Sequence, residues 1–135
     1  ASMSHADEML SRLESRAAVV GIIGLGYVGL PLARTFSAAG FPVLGFDIDP
    51  EKVHKLHAGK SYLKHIPDSD VAAMLGQKFS ATADFARLGE ADAVLICVPT
   101  PLTEAREPDL TYVTNSARAV AATLRPGQLV VLEST

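Results

Sequence analysis

The chain has 135 residues, enough for one domain with a sizeable core and too few for two ordinary ones. Hydrophobic residues make up 48% and charged residues 20%, a globular composition that excludes a disordered chain. A formal net charge of -3, with no run of Lys or Arg, excludes nucleic acid and an anionic membrane surface as partners recognised by charge.

In chain order, Met9, Leu10 and Leu13 recur at helical spacing, so residues 5–16 read as a short amphipathic helix. Residues 1–16 are taken as an N-terminal helical extension and 17–135 as the domain proper. Ala17 to Ile23 is a nearly unbroken apolar run, as expected of a strand buried on both faces of a parallel sheet. Gly24 to Gly29 follows and leads into a helix. Val28, Leu32 and Phe36 are expected on its buried face, Pro31 is tolerated near its start, and Gly40 ends it. Phe41 to Phe46 is a second strand, ending at Asp47. Asp49 is placed to cap a helix that Pro50 opens and Gly59 stops.

Residues 60–66 read as a loop, and Asp68 to Leu75 as a helix ending at Gly76. Phe79 to Ala81 is a short strand, Asp84 to Leu88 a brief helix, and Ala91 to Val98 another buried strand. Three prolines make Pro99 to Pro108 irregular. Thr111 to Leu124 is a helix with Val113, Ala117, Val120 and Leu124 on one stripe. After the Pro126-Gly127 turn, Leu129 to Leu132 is the last strand. Strands alternating with helices predict an α/β fold: a single-domain, Rossmann-type, doubly wound and mainly parallel sheet.

Gly24-Leu25-Gly26-Tyr27-Val28-Gly29 fits G-x-G-x-x-G between a strand and a helix. In that setting Gly24 allows the tight turn, Gly26 admits a pyrophosphate close to the backbone, and Gly29 lets the helix pack on the strand. The helix start offers free N–H groups and the positive end of its dipole. Asp47, at the end of the second strand, is the expected acid for the ribose hydroxyls of the adenosine half. Its charge opposes the 2′-phosphate of NADP, so NAD is the expected cofactor.

These segments resemble the UDP-glucose/GDP-mannose dehydrogenase family. The likeness lies in Gly21 to Ala33 (GIIGLGYVGLPLA), Gly45 to Val53 (GFDIDPEKV), Ile96 to Leu102 (ICVPTPL) and Leu124 to Thr135 (LRPGQLVVLEST). Ser61 to Ile66 (SYLKHI) and Pro108-Asp109-Leu110 resemble the branch acting on UDP-N-acetylhexosamines such as UDP-N-acetylglucosamine. The resemblance implies oxidation of a sugar 6-hydroxyl to a carboxylate with two NAD, through an aldehyde and a cysteine thioester. It adds Tyr27 as a cofactor contact, Val28 near the pyrophosphate, Lys52 at the adenosine ribose, Thr100 near the middle of the dinucleotide and Thr135 toward the nicotinamide. Bottom-up, Thr100 and Thr135 both follow strands at the edge that carries the glycine loop. Lys52 reads equally well as a solvated helix residue, and Thr100 as part of a turn between prolines.

The resemblance also implies that the catalytic cysteine, lysine and asparagine lie beyond Thr135. The chain is then expected to be cut from a longer, homo-oligomeric, cytoplasmic dehydrogenase, to bind NAD and nucleotide sugar as part of it, and to be inactive alone. Cys97, the one cysteine, lies inside an apolar run and reads as a buried, inert thiol that suits a reducing compartment. His54 and His57, three apart on a helix, are too few for a metal site, and none is expected. His65 and the acids Glu104, Glu107 and Asp109 read as loop residues. A β-hydroxyacid dehydrogenase cofactor domain, a non-enzymatic NAD sensor and a flavin site are the alternatives that share the glycine loop.

Overall fold

A computed structural model describes residues 4–133. Five strands, β1 (Val20–Ile23), β2 (Val43–Phe46), β3 (Phe79–Thr82), β4 (Ala93–Ile96) and β5 (Leu129–Leu132), pair in the order β3-β2-β1-β4-β5. Every pairing is parallel, with Ile23 opposite both Phe46 and Ile96. The helices are α1 (His5–Ser15), α2 (Gly29–Ala38), α3 (Pro50–His57), α4 (Asp68–Leu75) and α5 (Thr111–Thr123), with a 3₁₀ helix at Phe85–Glu90.

The period-2 alternation of the strands splits the core into two layers. Val20, Ile22, Val43 and Leu95 pack with Leu30 and Ala33 of α2, Leu56 of α3, and Val71 and Met74 of α4. Ile23, Leu44, Phe46, Val94 and Ile96 face the other way, onto Leu88 and Val120. Helices thus cover both faces, which makes the domain doubly wound. Among the described residues, no helix is long and apolar enough to cross a membrane.

Strand limits are shorter than the apolar runs: the ladders hold only four residues each, and Ala17 to Val19, Phe41-Pro42 and Cys97-Val98 flank them. On α2 the fully buried stripe is Gly29, Leu30, Ala33 and Ser37, not Val28, Leu32 and Phe36, which are half-buried at its rim. Three of the four buried residues are small, and Leu30 is the one large side chain fully buried with them. On α5 the buried residues are Ser116 and Val120, while Ala117 and Leu124 of the expected stripe are exposed. That helix packs on the 3₁₀ helix, where Val120 joins Leu88. All four residues of β5 are exposed, because it is the edge strand and, among the described residues, no helix covers it.

A knot of polar bonds ties the end of the sheet away from the glycine loop. Asp92, just before β4, is 3% exposed. Its Oδ1 accepts from Arg12 and Arg125, each at 2.8 Å, and its Oδ2 accepts the N–H of Val19 at 2.7 Å. Helix α1 is thereby fastened to the start of β1 and to the turn before β5.

Candidate cofactor-binding site

The sheet order puts the topological switch point between β1 and β4: β2 and β3 extend to one side, β5 to the other. Loops leaving these two strands diverge, and a crevice opens at their carboxyl ends, where open α/β sheets bind ligands. A cleft of about 880 Å³ lies there. It is lined by Gly24, Gly26, Tyr27, Val28, Asp47, Lys52 and Thr100, so residues from three separate segments of the chain converge on it. Gly29 lies beneath the loop instead of in the wall. Thr135 is outside the described residues.

Local forces set the glycine loop. The N–H of Gly24 donates to the Phe46 carbonyl at 2.7 Å, which continues the β1–β2 ladder by one step. The backbone then turns at φ +92°, open to glycine and strained for other residues, and a Cβ there would lie 2.9 Å from the Cys97 carbonyl oxygen. Gly29 meets the loop from the helix side: its Cβ would fall 1.6 Å from the Gly24 carbonyl oxygen. At Gly26 a Cβ would meet nothing within 4 Å. The space over Gly26 is open and faces the cleft, a cradle that a side chain would fill. No acceptor among the described residues takes the N–H groups of Gly26, Tyr27 and Val28, whereas the Gly26 carbonyl accepts from Leu30 at 3.1 Å. A loop with unpaired N–H groups at a helix start and bare space above fits a pyrophosphate.

Asp47 is 7% exposed. Its Oδ2 accepts the Leu25 N–H and its Oδ1 the Asp49 N–H, both at 2.9 Å. Lys52 Nζ stands 4.0 Å from Oδ2. The carboxylate therefore braces the glycine loop against the end of β2, a role the spacing alone did not reveal. Each oxygen retains acceptor capacity beyond these bonds, and Asp47 lines the cleft. Asp49 caps α3 through the Glu51 N–H at 3.0 Å, as its place before Pro50 predicts.

The cleft wall includes residues no motif pointed to. Ile48 is 68% exposed beside Asp47, and Phe85, Val98 and Ala119 add apolar surface. Tyr112, Asn115 and Ser116 enter from α5. This combination of apolar walls and few polar groups suits a planar base and two riboses. Tyr27 is 79% exposed and stacks on His65, with centroids 6.1 Å apart and planes 13° from parallel. Tyr62, from the loop after α3, donates its hydroxyl to the Leu25 carbonyl. Burial, aided by the charges of Asp47 and Asp49, holds that phenol well above its ordinary pKa.

Cys97 borders the cleft floor but is buried, and burial, with a smaller contribution from Glu133, pushes its thiol up to about 11. It stays protonated at neutral pH and makes a poor nucleophile. His57 Nε2 accepts the Ala81 N–H at 3.1 Å, which gives it a structural partner.

A glycine loop at a helix start, a braced acid after β2 and a cleft at the switch point define a Rossmann-type dinucleotide-binding domain. A sequence model of the UDP-glucose/GDP-mannose dehydrogenase family, NAD binding domain, matches residues 18–135. UDP-N-acetyl-D-mannosamine dehydrogenase of Escherichia coli (strain K12) is 42% identical over 122 residues, 87% of this chain and 28% of that protein. NDP-N-acetyl-D-galactosaminuronic acid dehydrogenase of Ralstonia nicotianae is 40% identical over 119 residues, 86% of this chain and 27% of the relative. The crystal structure of NDP-N-acetyl-D-galactosaminuronic acid dehydrogenase from Methanosarcina mazei Go1 superposes with a TM-score of 0.82 at 36% identity, covering 99% of this chain and 30% of that one. The chain belongs to the UDP-glucose/GDP-mannose dehydrogenase family, as its NAD-binding domain, and NAD is its cofactor. It spans between a quarter and a third of the length of these relatives.

Proposed function

We propose that this domain holds NAD for a dehydrogenase that oxidises the C6 hydroxyl of a UDP-N-acetylhexosamine, UDP-N-acetylglucosamine or an epimer, to the carboxylate. The observation that carries the cofactor half is the open cradle over Gly26, with unpaired N–H groups beside it and Asp47 at the end of β2. In this reading the loop N–H groups and the start of α2 hold the pyrophosphate. Asp47 takes the adenosine ribose hydroxyls, with Lys52 beside it. Ile48 and the α5 face enclose the base, and Thr100 stands near the middle of the dinucleotide. Bound there, NAD supplies the hydride acceptor for each of two oxidation steps.

The substrate half of the reading is supported by the names of the relatives, which act on N-acetylated hexosamine or hexosaminuronate nucleotides. The segment Ser61 to Ile66 adds sequence support. Cys97 is too buried and too weakly acidic to carry the acyl intermediate, so in this reading the thiolate comes from outside this chain, and the family resemblance implies the same of the lysine and asparagine that assist it. The chain alone then binds NAD without turnover, in a reducing cytoplasm, and works within a homo-oligomeric enzyme.

Two measurements test this. Calorimetric titration of the chain should give binding of NAD and much weaker binding of NADP; equal affinity would remove Asp47 from the ribose site. The longer protein, offered UDP-N-acetylglucosamine, its manno and galacto epimers and UDP-glucose, should form two NADH per sugar with an acetylated substrate. Turnover of UDP-glucose alone would overturn the substrate assignment.

A further inference from the structure

Tyr62 belongs to no cofactor motif, yet it grips the glycine loop. It comes from residues 60–66, half-buried, and its hydroxyl donates to the Leu25 carbonyl. The N–H of the same Leu25 is held by Asp47 at 2.9 Å. The Tyr62 ring lies 5.5 Å from Lys52 Nζ, which stands 4.0 Å from Asp47. Leu25, Asp47, Lys52 and Tyr62 therefore close a ring around the outer side of the loop.

That ring has a consequence for the next peptide. The Leu25–Gly26 bond is trans, so its C=O and N–H point in opposite directions. Tyr62 lines a second, smaller cleft on the outer side of the loop and is absent from the wall of the main one; Gly26 borders both. With the Leu25 carbonyl turned to Tyr62, the Gly26 N–H is turned away from Tyr62, whose own cleft is the smaller one. Glycine at 26 leaves this peptide free to rotate in both senses, so something else must choose the sense. The reverse orientation would present a carbonyl oxygen to the phosphates.

We propose that Tyr62 is a positioning residue for the cofactor: its hydroxyl locks the Leu25–Gly26 peptide with the N–H facing the pyrophosphate. The proposal rests on the reading of the cleft as the NAD site. Tyr62→Phe keeps the ring under Lys52 and removes only the lock. It should weaken NAD about tenfold or more, the loss of one hydrogen bond to a charged group. Adenosine, which lacks phosphate, should bind Tyr62→Phe and the parent chain alike when followed by NMR titration. A purely structural role would weaken both ligands together, and that result would overturn the proposal, as would native NAD affinity in Tyr62→Phe. A second measurement needs no variant: in the nitrogen-15 spectrum of the unaltered chain, the Gly26 amide should shift far more on adding NAD than on adding adenosine. Equal small shifts would also overturn it. A parent chain that binds no NAD at all would instead bring down the reading of the cleft, and this proposal with it.

Discussion

Gly26→Ala separates the fold of the glycine loop from its function. The added Cβ meets no atom within 4 Å, and Gly26 is not among the residues with positive φ. Alanine therefore fits the backbone as it stands. The chain should fold with native or slightly higher stability, by about 0.4–1 kcal/mol, because alanine narrows the unfolded ensemble. The same methyl occupies the space a pyrophosphate needs in order to reach the loop N–H groups. Losing one hydrogen bond to a charged group costs about 1.5–3 kcal/mol. At roughly 1.4 kcal/mol per decade, that weakens NAD some ten- to a hundredfold. Calorimetry with NAD and a thermal melt on the same sample give both quantities. Native affinity in a folded Gly26→Ala chain would refute the cradle. Gly29→Ala is the contrast: its Cβ would lie 1.6 Å from the Gly24 carbonyl oxygen, 2.8 Å from its carbon and 3.2 Å from Ile22 Cγ2. Two of those contacts are backbone, so the helix must leave the strand. Stability and NAD binding should then fall together, by more than the ~1–3 kcal/mol of ordinary overpacking.

Three further outcomes follow from the same geometry. Asp47→Asn keeps one oxygen for a backbone amide and removes the charge; NAD should weaken, NADP should gain relative to it, and paired titrations that show an unchanged ratio would take Asp47 out of the ribose site. Asp92→Ala leaves the Val19 N–H without its acceptor, while Arg12 and Arg125, about 48% and 38% exposed, can rehydrate, so urea unfolding should show a loss of about 1–3 kcal/mol with NAD affinity intact. Cys97 should resist iodoacetamide at pH 8 and react in denaturant. Its folded pKa of about 11 exceeds the unfolded value, so its contribution to stability is complete below about pH 8.5 and is lost as pH rises toward 11. Replacing it with alanine should flatten that part of the stability profile, which a series of denaturation curves would reveal.

The fold was legible because a parallel sheet writes itself locally. Strands buried on both faces read as apolar runs, and the alternation with helices follows directly. Boundaries overshot because apolar residues such as Ala18 and Cys97 are buried beside a ladder without joining it. The stripe on α2 was misjudged for a different reason: pattern reading weights large side chains, but three of the four buried positions on this helix are the small residues Gly29, Ala33 and Ser37. The exposure of β5 depends on what lies next to it in space, which its own residues do not encode.

At the site, what lay next to a strand end was readable and what arrived by packing was not. Gly24, Gly26, Tyr27 and Val28 follow β1, Asp47 follows β2 and Thr100 lies shortly past β4, so topology delivers them to one cleft. Phe85, Tyr112 and Asn115 enter from helical segments whose orientation no spacing rule fixes. Tyr62 was hidden because its partner is a backbone carbonyl, an acceptor present at every residue.

Asp47 shows why structural and functional readings of one residue need not compete. A carboxylate buried beside an apolar strand is tolerated only when its charge is met by donors. Here the Leu25 and Asp49 N–H groups meet it, and Lys52 stands alongside. Those same bonds fix the glycine loop relative to β2, and so fix the distance between Gly26 and Asp47, the two places where the proposed site would take a pyrophosphate and a ribose. The brace therefore sets the geometry that recognition uses. A loop whose Leu25 is held at its N–H by Asp47 and at its carbonyl by Tyr62 is already ordered before any ligand arrives, and the ordering entropy that binding would otherwise have to overcome is spent on folding instead.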